Sequence, residues 1–281
     1  MTRGLGRRRW LQAASAGLLA GAWRLAGAQI KSADNPEGNP VWQKLRASLF
    51  QSRPIEPASE DLLSLVLPAR AEDAAIVPLA IKTHLVQTPA RYIEKVYLII
   101  DNNPSPLAAV FEFTPLSGRA DLETRVRIDE YTHVRAIAQT SDGKLHMALG
   151  FVKASGGCSA PPSKDAQAAQ ASLGRMRLRV DPPAQAGAPQ LVQLMISHPN
   201  NSGLALDQMT RLYTPAHFVR QLTVRYGGQL VLSADLDFAI SENPNFRFYL
   251  QPQGDGELTA EIVDNQDLKF QSTLALRPRA S

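Results

Sequence analysis

The sequence predicts an all-β chain: two immunoglobulin-like β-sandwich domains joined by a cysteine-bearing linker. Three observations carry this. From Leu62 onward the apolar residues recur with a period of two in short runs, which is the signature of half-buried strands. Turn-forming clusters such as Asp101-Asn102-Asn103-Pro104, Ser141-Asp142-Gly143-Lys144 and Gly227-Gly228 separate the runs. One stretch rich in Ala, Gln, Pro and Ser, from Ser159 to Ser172, interrupts the pattern and reads as a linker.

Residues 1–28 read as a twin-arginine signal peptide. Arg7-Arg8-Arg9-Trp10-Leu11-Gln12 precedes an Ala/Gly/Leu-rich run, and Ala26-Gly27-Ala28 has the small-x-small form of a cleavage site. That run is too short and too glycine-rich for a membrane span, so the expectation is export to the periplasm with no membrane anchor. The whole chain has 30 basic and 26 acidic residues, a net charge of +4. Five of the arginines lie in the first 28 residues, which hold no acid, so the remainder has 25 basic against 26 acidic residues. The basic balance belongs to the leader and argues for no nucleic-acid partner.

Pro40 opens a short helix, with Val41, Leu45 and Leu49 at fourfold spacing and Trp42 beside them. Seven strands follow, near Leu63–Leu67, Ile76–Leu85, Tyr92–Ile100, Leu107–Thr114, Leu122–Ile128, Val134–Thr140 and Leu145–Val152. This places the first sandwich at 40–158 and the linker at 159–175. The alanine content of Lys164–Leu173 also permits a helix there, although no apolar stripe supports one. The second sandwich, 176–281, has strands near Met176–Val180, Leu191–Ser197, His217–Tyr226, Leu230–Leu236, Asn245–Gln251, Glu257–Asp264 and Leu268–Leu276. The two halves are expected to fold separately and pack on each other, with protease cutting first between Ser159 and Arg175.

The last strand of the first half runs straight into Gly156-Gly157-Cys158, the only cysteine in the chain, and Pro161-Pro162 follow closely. Glycines free the backbone and prolines stiffen the exit, so the thiol is expected to stand out from the domain on a narrow arm. A single cysteine excludes an internal disulfide and cannot by itself hold zinc or an iron–sulfur cluster. Lys153 and Lys164 are the cations nearby in sequence. On this reading a thiol reagent labels Cys158 as fast as it labels the unfolded chain, and Cys158→Ser leaves the melting temperature within roughly a degree or two.

Other chemistry is not indicated. The five histidines, at 84, 133, 146, 198 and 217, form no His-x-His or His-x-x-x-His pair, so no metal site is expected. His198, just before Pro199, reads as a strand-end residue paired with a backbone carbonyl. No nucleophile elbow or phosphate loop occurs, and a Gly-Gly arm supplies no oxyanion hole, so no catalytic residues and no cofactor are assigned.

Two segments carry a resemblance to a known family. Val152-Lys153-Ala154-Ser155-Gly156-Gly157-Cys158 resembles the cysteine tail of SoxY. Leu194-Met195-Ile196-Ser197-His198-Pro199, the Phe218–Asp235 hairpin and Asn243-Pro244-x-Phe246-x-Phe248-Tyr249 resemble SoxZ. The chain is similar to the thiosulfate-oxidation pair fused in one polypeptide, more closely to the SoxYZ-like carriers associated with quinoprotein dehydrogenases. The resemblance implies a non-enzymatic periplasmic carrier. Cys158 would bind a sulfur-containing or other thiol-reactive intermediate covalently, and Gly156 and Gly157 would be the flexible arm. Its implied partners are enzymes that load and unload the carrier, among them a quinoprotein dehydrogenase system or cytochrome. Here Ser159-Ala160-Pro161-Pro162 replaces the second Gly-Gly pair of SoxY, so the cysteine lies on a loop anchored at both ends. The alternative is a docking or maturation module for a periplasmic quinoprotein dehydrogenase, its thiol incidental or dimer-forming.

Overall fold

The computed structural model describes residues 35–161, 166–185 and 187–277. The leader, Lys164 and Pro162 lie outside these. The described residues belong to one compact unit.

Asn39 caps helix α1 (Pro40–Phe50), its side-chain oxygen accepting from the amides of Val41 and Trp42. Strands β1 (Ile55–Pro57), β2 (Leu63–Val66), β3 (Val77–Thr83), β4 (Ile93–Ile100), β5 (Leu107–Phe113), β6 (Leu122–Val126), β7 (Thr132–Thr140) and β8 (Leu145–Val152) complete the first half. A short helix α2 (Ala166–Ser172) occupies part of the linker. The second half holds β9 (Met176–Val180), β10 (Gln190–Ile196), β11 (Val219–Tyr226), β12 (Gln229–Leu236), β13 (Asn245–Leu250), β14 (Gly256–Asp264) and β15 (Lys269–Leu276). The all-β expectation is borne out. Strand β1 is an addition: it pairs in parallel with β8, and three residues are too few for a period of two to show.

The sheets run through both halves. One has the order β1-β8-β7-β4-β5-β12-β11-β14-β15, the other β2-β3-β6-β13-β10-β9. The halves therefore meet edge to edge, where separately folded sandwiches packed on each other were expected. β5 pairs antiparallel with β12, from Ala109 opposite Leu236 to Phe113 opposite Leu232. β6 pairs with β13, and Glu123 there bonds both Arg247 of the facing strand at 2.9 Å and Lys82 of β3. An open strand edge seeks a partner, and each half supplies the other's. One hydrophobic core follows the sheets across the seam, where Phe111 and Phe246 meet edge to face at 6.2 Å.

A second, smaller cluster lies on the outer face of the larger sheet. Trp42 and Phe50 of α1 cover Ile99, Ile137 and Leu145, while Val96, Leu98, Val134 and Ala136 face the main core. This accounts for β7, in which nearly every residue is buried: alternate side chains serve different cores. Arg135 is fully buried beneath α1. It holds Asp101 through two bonds of 2.8 Å and stacks on the Trp42 ring at 4.1 Å.

Candidate functional site

Cys158 follows β8 at the seam between the halves. Lys153 makes a parallel bridge to Arg70, and the chain then crosses the turn after β6. The amide of Gly156 donates to Asp129 O at 2.8 Å and that of Gly157 to Ile128 O at 2.9 Å. Gly156 has φ of +79° with open space around it, a conformation glycine adopts without strain. Gly157 is needed for a different reason. A Cβ there would run into the carbonyl oxygens of Ala74 and Ile128. Both glycines are hydrogen-bonded in place, so neither is the free arm that the sequence suggested.

The thiol is not held out either. Cys158 is 1% exposed, against the expectation of ready access. The sequence hides the reason, because part of its surroundings comes from the other half of the chain. The loop after β10 returns to the seam, and Ser202 Oγ–H donates to the Cys158 carbonyl across 44 residues. Burial pushes the thiol up to about 12, with Asp129 and Asp237 adding to the shift and Arg127 opposing it. In this closed state Cys158 is a protonated, poorly nucleophilic thiol.

The cation that bears on the sulfur is thus Arg127, and for Lys153 the structure shows no such part. Arg127 is buried. Its Nη1 donates to the carbonyls of Asn200 (2.7 Å), Phe238 (3.0 Å) and Ile240 (2.9 Å), which ties the turn after β6 to three points of the second half. Arg127, Asp129, Ser202 and Asp237 were not legible as site residues. None stands in a motif, and folding alone brings them to Cys158.

His198 is buried, as a structural role implies, but its partner differs from the expected carbonyl. Its Nδ1 accepts the backbone N–H of Asn200 at 3.1 Å, and Nε2 lies 3.5 Å from Asp264 Oδ2. His217 Nε2 reaches the same oxygen at 2.8 Å. His198, His217 and Asp264 bring three donor atoms within 4.8 Å of one another, a grouping that no local spacing announced. A groove of about 550 Å³ lies elsewhere: Leu67, Pro78, Arg125 and Arg247 are in its lining and Cys158 is not.

The fold and this seam define an all-β protein in which the end of one half is closed by a loop of the other. Residues 46–158 match the family model for the sulfur oxidation protein SoxY, and residues 176–275 match that for the sulphur oxidation protein SoxZ. The chain belongs to the fused SoxYZ-like proteins, with one domain of each family in a single polypeptide, and this membership supports a sulfur-carrier role. Among solved structures, the sulfur carrier protein SoxY from Chlorobium limicola f thiosulfatophilum is 24% identical, over 41% of this chain and 91% of its own, with a TM-score of 0.34. A superoxide reductase (neelaredoxin) from Ignicoccus hospitalis is 13% identical over 43% of this chain and 90% of its own, with a TM-score of 0.31. No curated protein matches the chain.

Proposed function

We propose that the protein is a periplasmic carrier that binds a sulfur-containing or other thiol-reactive intermediate covalently on Cys158 and presents it to partner enzymes. It performs no catalysis of its own. The observation that carries this reading is the position of the single cysteine. It is the last residue of the SoxY match, on a Gly-Gly turn at the seam with the SoxZ half. A carrier needs one thiol at a place where an enzyme can meet it, and the seam is such a place once its cover moves. The glycines then set the backbone of the turn and do not act as a loose tether. Enzymes that load and unload the thiol are the implied partners, including those of a quinoprotein dehydrogenase system or a cytochrome. Among the described residues no helix is long and apolar enough to cross a membrane.

Intact mass of the protein isolated from the periplasm tests the proposal. A carrier shows an adduct mass that reductant or Cys158→Ser removes, and the serine variant loses all carrier function. Unmodified mass under every growth condition, with function intact in the variant, would sink it.

One observation favours a second reading. A thiol with 1% exposure, pushed up to about 12, has the properties of a packed cysteine. On that reading the protein is a docking or maturation module for a periplasmic quinoprotein dehydrogenase, and Cys158→Ser retains its function.

A further inference from the structure

The loop between β10 and β11 leaves the sandwich at His198 and returns at His217, and both rings turn to one carboxylate. Their centroids are 4.6 Å apart. Asp264 Oδ1 accepts from the amides of Gln266 and Leu268, each at 2.9 Å, so the carboxylate is fixed by its own turn and Oδ2 is left for the two imidazoles. Two imidazoles and a carboxylate at this spacing are a donor set that suits zinc. The hydrogen bonding of His198 opposes that use. Because Nδ1 accepts from Asn200 N, the neutral ring carries its proton on Nε2 and has no lone pair there to offer a metal. Metal-bound histidines donate through their second nitrogen, and this one accepts. His198 Nε2 is buried without a hydrogen-bond partner and faces the Asp264 carboxylate. The three groups close the neck of the loop, both imidazoles meeting one carboxylate oxygen.

Within that neck the first residues of the loop are pinned one by one. Asn200 is fully buried; its Nδ2 donates to Ile240 O at 3.0 Å and its Oδ1 accepts from Val219 N at 3.0 Å. Its carbonyl accepts from Arg127, and two residues further Ser202 holds the Cys158 carbonyl. The far end is unlike this. Met209 is 93% exposed, Leu212 68% and Tyr213 65%. The loop is tied down at the end that meets the thiol and free at its tip.

We propose that Asp264, His198, His217 and Ser202 are positioning residues for Cys158: together they hold loop 199–216 shut across the thiol, which reacts only when this loop lifts. The proposal rests on the carrier reading for its purpose, but its physical content concerns access alone.

Alkylation of the full-length protein by iodoacetamide measures that access, with no cargo or partner present. The parent should be alkylated far more slowly than the unfolded chain. Ser202→Ala removes the hydrogen bond to the Cys158 carbonyl and the one Ser202 Oγ accepts from Leu204 N, and should speed alkylation roughly fivefold. Asp264→Asn keeps an acceptor for Gln266 and Leu268 but removes the charge that faces both histidines, and should speed it roughly tenfold. Ile137→Val, in the cluster beneath α1, should lower the melting temperature and leave the rate unchanged. The proposal is overturned if Ser202→Ala and Asp264→Asn are alkylated at the parent rate, or if Ile137→Val speeds alkylation as much as they do. Stabilisation of the parent by added zinc, lost in His217→Ala, would overturn it in favour of a metal site. Absence of any adduct from periplasmic protein would sink the carrier reading and leave these rates untouched.

Discussion

Cys158 is buried, its carbonyl bonded to a loop more than 40 residues away, and its environment sets what substitution does. Serine puts a hydroxyl into a buried site fitted to a sulfur, and an unsatisfied buried hydroxyl costs about 1–3 kcal/mol. For a chain of this size that is roughly 2–10 °C in melting temperature, larger than the degree or two expected of an exposed arm. Thermal unfolding of Cys158→Ser and Cys158→Ala checks this, and alanine should be the milder change. Gly157 makes a sharper case. A methyl group there meets the Ala74 and Ile128 carbonyls, so Gly157→Ala forces the backbone apart. Overpacking of that kind costs about 1–3 kcal/mol. Gly156→Ala has the space but not the backbone angle, and its cost should be smaller, about 1 kcal/mol. Urea unfolding of the two variants separates them, and equal, negligible losses would mean that the turn is not held as described.

At the scale of elements, the loop from β10 to β11 is held by groups that titrate. Burial and the neighbouring His217 push His198 down to about 4, with Asp264 and Asn200 opposing, against 6.5 for an ordinary histidine. In the unfolded chain His198 takes up a proton as pH falls through 6.5, whereas in the folded chain it resists until about 4. The unfolded state therefore binds more protons between these values. The stability conferred by the neutral ring is present above about pH 6.5 and is lost as pH falls toward 4. Between pH 7 and pH 5 this amounts to about 2 kcal/mol at 1.36 kcal/mol per unit. Denaturant unfolding at the two pH values measures it, and His198→Gln should remove most of the difference. Asp264 adds to the trend lower down. Its carboxyl is held below its ordinary value by His217 and by the amides of Leu268 and Gln266, which outweigh burial, so its contribution disappears only as pH falls below that value. The element beneath α1 makes a second claim. Asp101 is fully buried with Arg135, and Asp101→Ala would leave the buried guanidinium with Glu37, at 3.2 Å, as its carboxylate partner. The expected loss is about 2–3 kcal/mol, since Glu37 offsets part of the charge. A melting temperature within a degree of the parent would contradict the pairing.

For the molecule as a whole, the seam decides how it unfolds. Five residue pairs join β5 to β12, and one core runs beneath both halves. Calorimetry should show one transition, with the calorimetric and van't Hoff enthalpies equal. Phe246→Ala tests the same point from one side chain. It deletes the partner of Phe111 across the seam and should cost about 3–5 kcal/mol while lowering the stability of both halves together. Two separate transitions, only one of them moved by Phe246→Ala, would show that the halves are independent. Protease that cuts in the linker should leave the halves associated, since the strand pairs at the seam do not pass through it.

Much of this was written in local pattern. Alternating apolar residues announced nearly every strand, because each half-buried strand records its two faces in consecutive residues. Val41, Leu45 and Leu49 announced α1, and the lone cysteine after two glycines marked the position of interest, since both signals lie within a few neighbouring residues. Period two says which residues face inward, but not which strand lies alongside. The junctions of β5 with β12 and of β6 with β13 were therefore invisible, and so was a core shared by both halves. The same limit hid the environment of Cys158. Its glycines looked like freedom, because a sequence states what a backbone is able to do and not what surrounds it. Ser202, Arg127 and the Asp264 clasp come from points 31 to 106 residues away, brought in by strands whose pairing only the fold determines. Residue types and their local order determined the strands, the helix and the thiol. Burial, protonation and access are properties of neighbours distant in the chain, and the tertiary structure alone decided them.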